Sequence, residues 1–349
     1  VPEQLDNPFR GTGLPGQDVL PISDPGGVRA LLASCPAHAV TPLHEAAALA
    51  GEAGVGRLYL KDERARMGLG SFKALGAAHA IARDAAAVPD RADWATALAG
   101  RTYVTASAGN HGLSVAAGAR IFGAAAVIFL ADTVPEAFAT RLRARGAQVE
   151  RAGATYEDSM AAAEAAAAAH GWALLSDSSW PGYTEPPLRV MEGYLELAVE
   201  AAEQIDLPPT HILLQAGVGG LAAAVAAHAR AVWGQRPRIV VVEPDAAPAL
   251  IESIRAGRLV TTTGPVSAMG RLDCKTPSMI ALAGLARDAD RFVTVTEDEA
   301  AAGVAALARH GFATTPSGAA GVVALLAGLP GLDAKSRVMA ILSEGPEDG

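Results

Sequence analysis

A chain of 349 residues, half of them hydrophobic and 19% charged, carries enough apolar material for one large core or two modest ones, which excludes disorder. Its net charge of −9 argues against a nucleic-acid-binding surface. No window approaches the ~18 uncharged apolar residues of a membrane span. Cys35 and Cys274 are the only cysteines, so no disulfide framework is implied, and residues 1–10 lack a basic-then-apolar signal pattern. A soluble cytoplasmic protein is the expectation.

Strand-like and helix-like segments alternate along the chain. The pattern predicts a strand at 57–61, a helix at 72–86, a strand at 102–106, a helix at 110–122 and a strand at 125–130. The rhythm continues through 135–145, 148–151 and an alanine-rich helix at 156–170. It resumes with a strand at 211–215, a helix at 220–233, a strand at 238–243 and a last clear strand at 337–342. Such alternation implies βαβ units and parallel sheets covered by helices, with ligands held at the carboxyl ends of strands.

Four turns between these elements carry chemistry. Ser71-Phe72-Lys73 opens a helix. A lysine whose amine is partly desolvated, so that its pKa falls, can form a Schiff base. An ordinary helix-surface lysine is the competing interpretation. However, lysine occurs only at positions 61, 73, 275 and 335, and Lys73 sits among apolar residues. Ser107-Ala108-Gly109-Asn110-His111-Gly112 lies between a strand and a helix. Its backbone N–H groups and the helix dipole suit a carboxylate, and the Asn110 amide suits a phenolic ring oxygen. The plainer alternatives are a helix cap at Asn110 and a packed core histidine at His111.

Gln215-Ala216-Gly217-Val218-Gly219-Gly220-Leu221 also joins a strand to a helix, and its glycines let free N–H groups cradle a phosphate. The same stretch has a rival interpretation. Gly217, Gly219 and Ala222 fit G-x-G-x-x-A, and the next strand ends in Glu243, poised for a ribose hydroxyl. That pattern would make a nicotinamide oxidoreductase. Finally, Ser343 ends the last strand, where a hydroxyl could meet a pyridine nitrogen.

In their order and content these motifs resemble fold-type II pyridoxal-5′-phosphate (PLP) enzymes, the tryptophan-synthase-β superfamily. Further segments are similar to diaminopropionate ammonia-lyases: Thr41-Pro42-Leu43, Lys61-Asp62-Glu63-Arg64, the run from Arg66 to Gly76, Asp177-Ser178-Ser179-Trp180-Pro181-Gly182-Tyr183, Met191-Glu192-Gly193-Tyr194 and Met269-Gly270-Arg271-Leu272-Asp273-Cys274. The resemblance implies two three-layer α/β domains with open, twisted, mainly parallel sheets and the cofactor in the cleft between them. Residues 1–69 and 188–349 would form the large PLP-binding domain, and 70–187 the small one.

The resemblance also implies roles. Lys73 would anchor PLP, Asn110 would meet the ring oxygen, Gly217, Val218, Gly219, Gly220 and Leu221 would hold the phosphate, and Ser343 would face the ring nitrogen. Ser107, Ala108, Gly109 and His111 would receive the substrate carboxylate. Asp177 would recognise a β-amino or β-hydroxyl group or assist its departure; a loop-capping aspartate is the plainer alternative. The expected reaction is β-elimination from a β-substituted L-amino acid, giving a 2-oxo acid and ammonia, by a homodimer without a metal. One position departs from the pattern: a typical ammonia-lyase has aspartate, a second base, where this chain has Ala108. Lys73 would then be both anchor and sole Cα base, favouring one enantiomer.

Overall fold

The computed structural model describes residues 3–89 and 93–346. Eleven strands run through them: β1 (Gln4–Asp6), β2 (Leu43–Glu45), β3 (Arg57–Asp62), β4 (Thr102–Ala106), β5 (Ala125–Leu130), β6 (Gln148–Arg151), β7 (Ala173–Leu174), β8 (His211–Gln215), β9 (Arg238–Pro244), β10 (Arg291–Val295) and β11 (Arg337–Leu342). They form two sheets. One has seven strands in the order β1-β10-β9-β8-β11-β3-β2, and the other has four in the order β6-β5-β4-β7. The small sheet is wholly parallel, and the large one is parallel except at its edges, where β1 and β2 run antiparallel to their neighbours.

The central strands read as near-continuous apolar runs because helices cover both of their faces. Ile212 to Leu214, Ile239 to Val242 and Val338 to Leu342 are all buried. Helix Gly220–Trp233, half of it alanine, buries ten consecutive residues from Gly220 to Ala229. By contrast, helix Tyr156–His170 buries only Ser159, Met160 and Ala163. Its ends are defined by a Thr155/Asp158 capping box and by Gly171 in the left-handed conformation. Among the described residues no helix is long and apolar enough to cross a membrane.

A buried ionic group fixes the segment leading to Lys73. Arg66, in a short turn, bonds Glu63 and Glu200 at 2.7 Å each; Lys61 meets Glu200 at 2.6 Å, and the Thr41 hydroxyl donates to Glu63 at 2.6 Å. Two cations and two anions cancel, and their hydrogen bonds are mutual, so the group is tolerated out of water. Burial alone would raise the Glu200 carboxyl, but Arg66 and Lys61 bring it down to about 2. The next residue, Met67, takes a positive φ of 52°, which only such a fixed surround sustains.

Candidate active site

Helix Lys73–Ala86 begins at the edge of a cleft between the two sheets' loops. The chain before it lies antiparallel to the end of β11: Ser71 bridges Glu344, the Phe72 N–H donates to the Ser343 carbonyl at 3.1 Å, and the Gly345 N–H donates to Gly70 at 2.9 Å. That pairing brings Lys73 and Ser343 to one place, although 270 residues separate them in the chain. The helix can approach because Gly76 and Gly193 lack side chains; a Cβ on Gly76 would lie 2.6 Å from the Tyr194 ring.

Lys73, Ser107 to His111, Asp177, Gly217 to Leu221 and Ser343 all line a single cavity of about 610 Å³. Every site residue expected from sequence is therefore brought together. The lining comes from loops at the carboxyl ends of β4, β8 and β11, where open parallel sheets place ligands.

The Lys73 ammonium pairs directly with the Asp177 carboxylate. It also lies 5.2 Å from the Phe72 ring and 5.7 Å from the Tyr194 ring. Burial would lower the amine, as expected from sequence, but Asp177 and then Tyr194 outweigh it and raise it above the usual lysine range. The expected depression of Lys73 is thus corrected: a partner carboxylate dominates over desolvation. Asp177 is correspondingly held well below the usual carboxylate range, against burial, chiefly by Lys73.

His111 is buried, and burial pushes its pKa down. The neutral ring donates Nε2–H to the Leu175 carbonyl at 2.8 Å. The Ser107 hydroxyl ties the loop by accepting N–H bonds from Gly109 at 3.2 Å and Gly112 at 3.1 Å. Gly109, not Asn110, is the N-cap of helix Asn110–Ile121, and it offers no side-chain cap. In the first turn the Gly112 N–H is thus taken by Ser107, and the Asn110 and His111 N–H groups are the ones an anion would use. Asn110 instead sends its Nδ2 to Glu344 Oε2 at 2.5 Å.

At the third loop, Gly219 adopts φ 98°, and a Cβ on Gly217 would meet Cys274 Sγ at 3.0 Å and the Arg271 carbonyl at 3.1 Å. Both positions require glycine, one for conformation and one for space. Gly217 to Leu221, ending in the first residues of helix Gly220–Trp233, line the cavity, and a helix N-terminus suits a phosphate. Burial, aided by the Asp177 charge, pushes the neighbouring Cys274 thiol up to about 12. Glu243, needed for the nicotinamide alternative, is fully buried away from this cavity. Its carboxyl oxygens accept the N–H groups of Leu250 and Ile251 at 2.7 and 2.8 Å, capping helix Ala249–Ala256. Buried there, it is out of reach of a ribose in this cavity.

Sequence reasoning gave no role to Glu344, Arg271, Cys274 or Tyr156, which also line the cavity. Glu344 had one visible signal, an acid directly after the expected ring-facing serine. Among the described residues one group has metal-ligand spacing: His38, Glu196 and Glu200. It lies outside the cavity, and Glu200 is already bound to Arg66 and Lys61.

Residues 35–344 match the family model described as "Pyridoxal-phosphate dependent enzyme". The chain belongs to this family. This PLP-dependent enzyme is 34% identical over 347 residues to the diaminopropionate ammonia-lyase of Salmonella typhimurium, covering 89% of this chain and 86% of that one. It is 30% identical to a serine dehydratase-like protein of Rattus norvegicus, over 76% of this chain and 74% of that one. Its fold superimposes on the crystal structure of Escherichia coli diaminopropionate ammonia-lyase in complex with an aminoacrylate-PLP azomethine intermediate, with a TM-score of 0.86 at 29% identity, covering 99% and 94% of the two chains. The donor set fits PLP: a lysine amine, an amide, a hydroxyl and a glycine-rich helix N-terminus surround one cavity.

Proposed function

We propose that this enzyme performs β-elimination on a β-substituted L-amino acid, of the 2,3-diaminopropionate or β-hydroxy type, releasing a 2-oxo acid and ammonia. The observation that carries this reading is the Lys73–Asp177 pair, placed in the same cavity as a phosphate-type loop and a carboxylate-type loop. Bound PLP supplies the electron sink for Cα–H cleavage.

The chain's own residues do the rest. Gly217 to Leu221 bind the cofactor phosphate, Asn110 the ring oxygen and Ser343 the ring nitrogen. The N–H groups at the Asn110 helix terminus, with the loop held by Ser107, orient the substrate carboxylate. Lys73, as the neutral amine, would stand beside Cα and remove its proton. Asp177 would bind the β-substituent as a hydrogen-bond acceptor, and the Cα proton held on Lys73 would pass to that group as it leaves, restoring the neutral amine. The Cα hydrogen and the β-group depart together, and water then replaces the amino nitrogen of the released product. His111, neutral and tied to Leu175, adds no cationic charge of its own beside Asp177.

The resemblance further supports a cytoplasmic homodimer, with domains divided at residues 70 and 187. Lys73→Ala tests the central claim. It is expected to lower turnover by at least about a thousandfold and to leave no covalently held chromophore after denaturation. Wild-type turnover in that variant overturns the mechanism. A screen of β-amino and β-hydroxy acids, read as 2-oxo acid and ammonia, identifies the leaving group.

A further inference from the structure

Glu344 follows Ser343 at the end of β11 and is almost completely buried, yet it lines the cavity. Its Oε2 accepts the Asn110 Nδ2–H at 2.5 Å, and its Oε1 accepts the Thr315 hydroxyl. Arg271 Nε stands 3.8 Å from Oε2. An ionised carboxylate can only accept hydrogen bonds. An asparagine amide facing it must therefore turn its NH2 group inward and cannot flip. Thr315 is itself fixed as the N-cap of helix Pro316–Leu326, accepting the Gly318 N–H at 2.9 Å. A rigid helix terminus thus sets the carboxylate, and the carboxylate sets the amide.

We propose that Glu344 is a positioning residue for the cofactor ring: it locks the Asn110 amide in one sense and places a negative charge beside the ring-contacting pair Asn110 and Ser343. This inference rests on the PLP reading above, with Asn110 and Ser343 as ring contacts. Two consequences are separable. Locking lowers the orientational cost of binding and so tightens PLP binding. The charge raises the proton affinity of the ring atoms it faces, because an anion favours a nearby bound proton. The ring environment is therefore not neutral, as the serine alone would suggest.

The test reconstitutes each variant with PLP and reads two quantities besides activity. One is the PLP dissociation constant from fluorescence quenching. The other is the pH at which the bound chromophore exchanges its long- and short-wavelength absorbance bands. Glu344→Gln is expected to weaken PLP by about tenfold and to move the spectral titration down by about one pH unit. Thr315→Val, which keeps the charge but removes its anchor, is expected to weaken PLP without moving the titration. Thr315→Ser, which keeps the hydroxyl, is expected to match the parent. Glu344→Gln with parental affinity and titration overturns the proposal. If that variant does not fold, equal PLP affinity of Thr315→Val and Thr315→Ser overturns it instead. A parent protein that gains no visible band with PLP refutes the cofactor reading itself, a distinct result.

Discussion

Position 108 presents a methyl group to the cavity within the loop expected to hold the substrate carboxylate. No proton can be taken there, so under the proposed mechanism Cα deprotonation would fall to Lys73, from one face. The parent enzyme should discriminate strongly between enantiomers of 2,3-diaminopropionate. Ala108→Asp should raise the D-to-L ratio of kcat/KM by about a hundredfold, the lower range for a positioned base. Release of 2-oxo acid from each enantiomer checks it; efficient D-turnover by the parent refutes the role given to position 108. At this scale much of the site was legible, because Lys73, Asn110, Gly217 and Ser343 sit in short motifs whose chemistry needs those residue types. The Lys73 ionisation was not. It depends on Asp177, 104 residues away, and only the fold shows that the carboxylate reaches the amine. Glu344 was likewise visible as a letter but not as a partner of Asn110, 234 residues distant.

The loops at the ends of β4, β8 and β11 behave as one device, since each joins a buried strand to a helix N-terminus or to the start of the Lys73 helix. The glycine loop after β8 is the tightest of them. Gly217→Ala forces a methyl group against Cys274, the Arg271 carbonyl and Leu272 Cα, with all three contacts at 3.0–3.1 Å. Overpacking of this kind costs about 1–3 kcal/mol, so PLP affinity should fall by about 5- to 150-fold, measurable by equilibrium titration of the apoenzyme. Unchanged affinity would mean that the loop does not hold the cofactor. Buried strands such as Ile239 to Val242 could be read from their unbroken apolar runs, and helices such as Tyr156–His170 from composition. The edge strands could not. β1 and β2 have three residues each, too few to establish an alternation. β10, Arg-Phe-Val-Thr-Val, has no flanking glycine or proline to mark it, and gains its identity by lying between β9 and β1.

For the molecule as a whole, Glu243 ties stability to pH. Burial outweighs its two backbone hydrogen bonds and pushes its carboxyl from 4.5 up to about 8. Because the folded-state value lies above the unfolded one, the folded chain keeps a proton that the unfolded chain releases. That stabilisation is fully present below pH 4.5 and is lost as the pH rises to about 8. The slope from this one group reaches up to about 1.4 kcal/mol per pH unit. Urea denaturation at pH 6 and pH 9 should show the parent losing stability across that interval and Glu243→Gln losing less; parallel losses would remove Glu243 as the cause. The order of the strands has a consequence during synthesis. Residues 102–174, which carry the whole four-stranded sheet, are contiguous and can pair soon after they leave the ribosome. The seven-stranded sheet cannot close, because the interior position between β8 and β3 belongs to β11, the last of the eleven strands to be translated. Until residue 342 emerges, β8 and β3 expose unpaired edges, the usual starting point for intermolecular strand pairing. Nascent chains stalled before β11 should therefore aggregate and remain colourless in PLP, acquiring the cofactor only when the gap in the sheet is filled.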